Sequence, residues 1–126
     1  MIDVRIHGIG DYELLSNVNI SVNGWDINVY SGFKWDGASI PRSLWEEIGC
    51  PMDYMLESCI HDALYRTHLL DRKTSDKILH ELVKQSNGSV VAKAMYLGVR
   101  FGGDSAYEKA KYSMAHYRDY VSILPI

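Results

Sequence analysis

The chain has 126 residues, of which 47% are hydrophobic and 23% charged, with a formal net charge of −3. At roughly 100–200 residues per domain this is one domain, and a chain of that size buries about two-thirds of its unfolded surface, enough for a core without cross-links. The hydrophobic content excludes a disordered chain. The negative balance excludes a protein that holds nucleic acid mainly by blanketing its phosphates, although not a small basic pocket.

Cys50 and Cys59 are too few for a disulfide framework, which makes a reducing cytoplasm the expected compartment. No apolar run follows Met1, so no secretory leader is expected, and no stretch approaches the length of a membrane span.

From Ile2 to Trp35 the pattern alternates. Val4 and Ile6 alternate with Arg5 and His7, and Val18, Ile20 and Val22 alternate with Asn19 and Ser21. Asn23-Gly24 separates this second run from Ile27 and Val29, and such a pair between alternating runs predicts a hairpin. Residues 1–35 are therefore expected to form a small antiparallel β-sheet of three to four short strands.

After Pro41 the apolar period lengthens to that of a helix. Ser43–Ile48 reads as a short helix stopped by Gly49 and Pro51. Asp53–Leu69 reads as a long one, with Met55, Leu56, Cys59, Ile60, Ala63 and Leu64 as its buried stripe. Thr74–Gln85 follows on Ile78, Leu79, Leu82 and Val83, ended by Asn87-Gly88. Ser89 opens a fourth helix that Phe101-Gly102-Gly103 breaks. Ser105 and Glu108 have capping-box spacing and open a last helix to about Val121. Residues 42–122 are thus expected to be a bundle of four to five helices. Strands first and helices after define an α+β fold.

Three stretches carry candidate chemistry. At the strand-to-helix junction, Asp36, Ser39 and Arg42 offer an acceptor, a hydroxyl and a guanidinium within one irregular turn. The plain alternative is a turn and a helix cap. On the long helix, His61 and Tyr65 share a face at i, i+4, with Asp62 one position around. Histidine titrates near neutrality, which suits it to general-base work.

Asp76 lies three residues before Leu79 and seven before Val83, so it faces the buried side of its helix and needs a partner. A short turn at Leu70-Asp71-Arg72 makes the two helices antiparallel. His61 is nine residues before that turn and Asp76 six after it, levels close enough to meet. A carboxylate there orients the imidazole and fixes its tautomer. Asp62 then remains for a hard cation, calcium being one that prefers oxygen ligands, or for Arg42. His7, His68, His80 and His116 show no metal-ligand spacing. Tyr107, Tyr112, Tyr117 and Tyr120 with Lys109, Lys111 and Arg118 make the last helix aromatic and basic, as in a packed helix with a solvated face.

The Trp35–Arg42 and His61–Arg66 blocks, Arg72 with Asp76, and the later Met95-Tyr96 and Val99–Gly102 segments resemble a bacteriophage and prophage family, domain-of-unknown-function family 1353, over roughly residues 30–103. The resemblance implies a phage or prophage origin and hence a host cytoplasm, but no activity. More locally, His61, Asp62, Tyr65 and Asp76 are similar to the His-Asp-x-x-Tyr helix and partner Asp of phospholipases of the A-two class. That similarity implies that His61 activates water, Asp76 orients His61, Tyr65 bonds Asp76 and Asp62 binds calcium. The glycine-rich calcium loop and the disulfides of those enzymes are absent, and only Asp36-Gly37-Ala38-Ser39 stands near the loop's place.

Three functions follow as expectations. The first is a small hydrolase of an ester or phosphoester, with His61, Asp76 and Tyr65 as its catalytic residues. The second is a non-catalytic anti-defence module that sequesters a nucleotide-type signal or a host protein, with Asp36, Ser39, Arg42, Arg66, Arg72 and Arg100 lining a polar pocket. The third is a virion or assembly component that forms a homo-oligomer.

Overall fold

The computed structural model describes residues 2–38, 40 and 42–126, Arg42 by its backbone alone. The fold is α+β, with two small antiparallel sheets in place of the one expected. The first has the order β1 (Val4–Gly8), β2 (Asp11–Leu14), β5 (Lys34–Trp35). The second has the order β3 (Val18–Val22), β4 (Trp25–Val29), β6 (Val121–Pro125). The β3–β4 hairpin turns at Asn23 and Gly24, both at positive φ (51° and 81°), the pairing a two-residue turn of this hand requires.

Alternation sets the buried faces. Tyr12 and Leu14 of β2, Ile27 and Val29 of β4, and Val22 of β3 are buried, while Asn19 and Ser21 face out. Phe33 and Trp35 carry the chain into the helical half, where they join Cys59, Ile60, Ala63 and Leu64 in one cluster that also holds the strand residues.

The helices are α1 (Trp45–Ile48), α2 (Met55–Thr67), α3 (Arg72–Asn87), α4 (Ser89–Gly102), α5 (Asp104–Ala110) and α6 (Met114–Tyr117). The expected long helix is shorter at its start, because Pro51–Tyr54 forms a 3-10 turn first. It ends where His68 takes a left-handed conformation (φ 52°). α2 is the central element. It packs against α3, α5, α6 and β5, and little of its surface stays polar and exposed.

The expected last helix is corrected. α5 and α6 are two short pieces, the capping box of Ser105 and Glu108 does not form, and Val121–Pro125 is strand rather than helix. Val121 and Ile123 find apolar partners on Val29 and Ile27 across the β4–β6 ladder, and that non-local burial outweighs the helical pattern before it. Among the described residues, no helix is long and apolar enough to cross a membrane.

Ile27 is fully buried between Ile20 and Ile123 at the middle of its sheet. Ile27→Ala is expected to lower unfolding stability by about 2–5 kcal/mol. Urea denaturation followed by tryptophan fluorescence measures this, with the midpoint shifting and the slope unchanged.

Candidate functional site

α2 and α3 run antiparallel and bring His61 and Asp76 together. Asp76 is completely buried, and four side chains from three helices surround its carboxylate. His61 donates through Nε2 to Oδ1 at 2.8 Å, and the Tyr65 hydroxyl donates to the same oxygen at 2.5 Å. Arg100 of α4 donates through Nη1 to Oδ2 at 2.8 Å, and the Arg72 guanidinium lies 3.7 Å from that oxygen. Because Asp76 is ionised, the His61 proton sits on Nε2, and Nδ1 makes no hydrogen bond within the described residues.

Burial alone would raise the Asp76 carboxyl above its ordinary value. Hydrogen bonds from His61, Tyr65 and Arg100 outweigh it and hold the group below that value. Burial pushes the Tyr65 phenol up, and the neighbouring Asp76 charge pushes it further, so Tyr65 stays a donor.

Two backbone features complete this cluster. Arg72 also donates to the carbonyls of Val99 and Arg100, at 3.1 and 3.3 Å, which clamps the C-terminus of α4 onto α3. Gly103 follows there. A Cβ at this position would lie 2.6 Å from the Tyr65 hydroxyl and 2.5 Å from the Val99 carbonyl, so only glycine lets the α4–α5 junction close over Tyr65.

His61, Tyr65 and Asp62 open on a cavity of about 460 Å3, within the roughly 300–1,000 Å3 of small-molecule sites. Its α2 wall is polar. Apart from Asp36, the rest of the described lining is apolar, Ile40, Leu44, Ile48, Leu79, Met95 and Val99 among it. Most of the described lining is apolar, and its polar side chains are Asp36, Ser58, His61, Asp62 and Tyr65.

The arginines expected to line a ligand pocket are placed as follows. None of the described lining residues is Lys or Arg. Arg72 and Arg100 are turned onto Asp76 and backbone carbonyls, and Arg66 bonds the Tyr117 hydroxyl at 2.7 Å and lies 3.6 Å from Asp36. Ser39 and the Arg42 side chain lie outside the described residues. Asp36 does reach the cavity, placed by Trp35, whose indole donates to Ser58 Oγ at 3.0 Å. Gly37 follows at φ 87° with the Tyr12 ring against it.

Among the described residues no three His, Cys, Asp or Glu side chains converge, and the charged groups felt by Asp62 are Asp36 and Arg66. Burial first, then the Asp36 carboxyl, raises Asp62 well above the ordinary carboxylate value, against smaller opposing effects of Arg66 and the Asp36 amide. Other expected features are structural. His68 stacks on Tyr107 at 3.8 Å and donates to its carbonyl, Tyr117 packs on Phe33, and both cysteines are free.

Side-chain nucleophiles are scarce here. Ser58 donates to the Met55 carbonyl while accepting from Trp35, and burial pushes the Cys59 thiol up, which keeps it protonated. The described groups thus suit activation of water rather than covalent attack.

Residues 12–99 match the family described as Protein of unknown function (DUF1353), and the chain belongs to that family. No curated protein and no solved structure matches the chain.

Asp76→Asn leaves two guanidiniums facing a neutral amide. It is expected to cost about 3–5 kcal/mol at pH 7. A group held below its unfolded value contributes stability above that value and loses it as pH falls through the folded one. Chemical denaturation of both proteins across the acid range therefore shows the gap narrowing as pH drops below the ordinary Asp value, where the wild-type carboxyl is itself protonated.

Proposed function

We propose that this chain is a small hydrolase in which His61 activates a water molecule for attack on an ester. The observation that carries the reading is the His61–Asp76 contact on the polar wall of a mainly apolar cavity. Asp76 orients the imidazole and compensates the charge it gains on taking a proton from water. Tyr65 and Arg100 act through Asp76 as positioning residues, and Gly103 permits that geometry.

The cavity's chemistry favours one substrate class among those expected. A phosphoester or nucleotide brings negative charge, and the described lining offers no Lys or Arg to receive it, whereas two carboxyl groups face the space. An uncharged carboxylic ester with an aliphatic portion suits such walls. Sequestration of a nucleotide-type signal finds less support, since Arg66, Arg72 and Arg100 are engaged elsewhere. By the resemblance to phage and prophage proteins, the setting of this activity is an infected host cell.

The test is hydrolysis of short and medium-chain p-nitrophenyl esters by wild type, His61→Ala and Gly103→Ala. His61→Ala is expected to lower kcat by at least about 100-fold, in line with loss of a general base, while its circular dichroism stays that of wild type. Full turnover without His61 would falsify the reading. Gly103→Ala is expected to reduce kcat as well, by forcing Tyr65 away from Asp76, with a smaller effect on KM.

A further inference from the structure

The dyad leaves a second pair of acidic groups on the same wall unused. Asp62 follows His61 on α2 and lines the cavity, as does Asp36 from the loop after β5. Asp62 Oδ2 is buried, and no donor among the described residues reaches it. The side chain it meets is that of Asp36. Two carboxylates in contact do not both ionise, so such a pair holds one proton.

Location decides which partner holds it. Asp36 is largely exposed and has the Arg66 guanidinium 3.6 Å away, so water and a cation stabilise its charge. Asp62 is half-buried, with its Oδ2 shielded from water, and as the less exposed partner it takes the proton. Its remaining titratable or charged neighbours are on α2 itself: His61, Tyr65, Arg66 and the Cys59 thiol. The described lining from α1, α3, α4 and α5 carries no titratable side chain.

We propose that Asp36 and Asp62 hold one proton between them, and that Asp62 is the acid that delivers it to the leaving oxygen of an ester in the cavity. This rests on the hydrolase reading and gives the site its second half. Water adds to the ester carbonyl carbon while His61 Nδ1 takes a water proton. The bond from that carbon to the alcohol oxygen then breaks, and the oxygen takes the Asp62 proton. Acid and alcohol leave, and the proton on His61 returns through water to the carboxyl pair, which restores both groups. The raised proton affinity of Asp62 is the direction such a donor needs near neutral pH.

The experiment compares an ethyl ester with the p-nitrophenyl ester of the same acid, using wild type, Asp62→Asn and His61→Ala. Nitrophenolate leaves without a proton and ethoxide does not. Asp62→Asn is therefore expected to lower kcat/KM about 100-fold on the ethyl ester and at most about threefold on the nitrophenyl ester, while His61→Ala lowers both. Equal losses on the two esters, or no loss on either, overturn the assignment. Equal losses in Asp62→Asn, together with inhibition of wild type by a chelator, assign Asp62 to a divalent cation and overturn it too. An infrared difference spectrum of wild type against Asp62→Asn at neutral pH tests the proton without turnover. A protonated-carboxyl band lost in the variant supports the pair, and an ionised-carboxylate band overturns it. If wild type cleaves neither ester, the hydrolase reading and the donor role fail together, and the infrared band alone decides whether the proton is shared.

Discussion

A full negative charge sits where no water reaches, and the helical half of the molecule is arranged around it. An isolated carboxylate in such a place costs several kcal/mol even after relaxation, comparable to the whole stability of a small domain. Asp76 is tolerated because donors converge on both its oxygens, His61 and Tyr65 from α2, Arg100 from α4 and Arg72 from its own helix. Moving any of these helices leaves either the anion or a guanidinium without its partner. Their mutual placement is therefore set by charge as well as by apolar packing.

The same arrangement explains why the site faces a cavity instead of a filled core. α4 lies on α3 through Val91, Ala92, Met95 and Val99, and Arg72 holds its final carbonyls. A cation at a helix C-terminus is favoured by the helix dipole as well. With α4 fixed there, and with Gly98, Gly102 and Gly103 placing no side chain in the gap, space remains between α4 and the polar wall of α2. The loop after β5 closes another side, because the Trp35 indole is tied to Ser58 on α2. The strands thus matter to the chemistry through one anchored tryptophan and the aspartate that follows it.

Which parts of this were legible in the sequence depended on the range of the interactions involved. The β3–β4 hairpin was legible because Asn23 and Gly24 both accept positive φ and the flanking runs alternate. The meeting of His61 and Asp76 was legible because a short turn fixes the levels of two antiparallel helices and Asp76 lies on a buried face. β6 was not, since Val121 and Ile123 are explained only by Ile27 and Val29, more than ninety positions away along the chain. The contact of Arg100 with Asp76 is hidden for the same reason, being visible only once α4 is laid on α3, which no periodicity specifies. Gly103 was legible as a helix breaker, but not as the residue that makes room for Tyr65.

Asp62 and Asp76 show how position alone divides one residue type into opposite chemical states. Asp76 is fully buried and Asp62 half-buried, yet the first is given donors and the second a neighbouring carboxyl. The donors around Asp76 make it a lasting anion that holds the His61 imidazole in one tautomer. Burial, and then the carboxyl of Asp36, raises the proton affinity of Asp62. His61 is bonded to Asp76 and stands next to Asp62 in the chain. On the proposed hydrolase reading, His61 and Asp62 would carry the two proton transfers of ester cleavage from adjacent positions of α2.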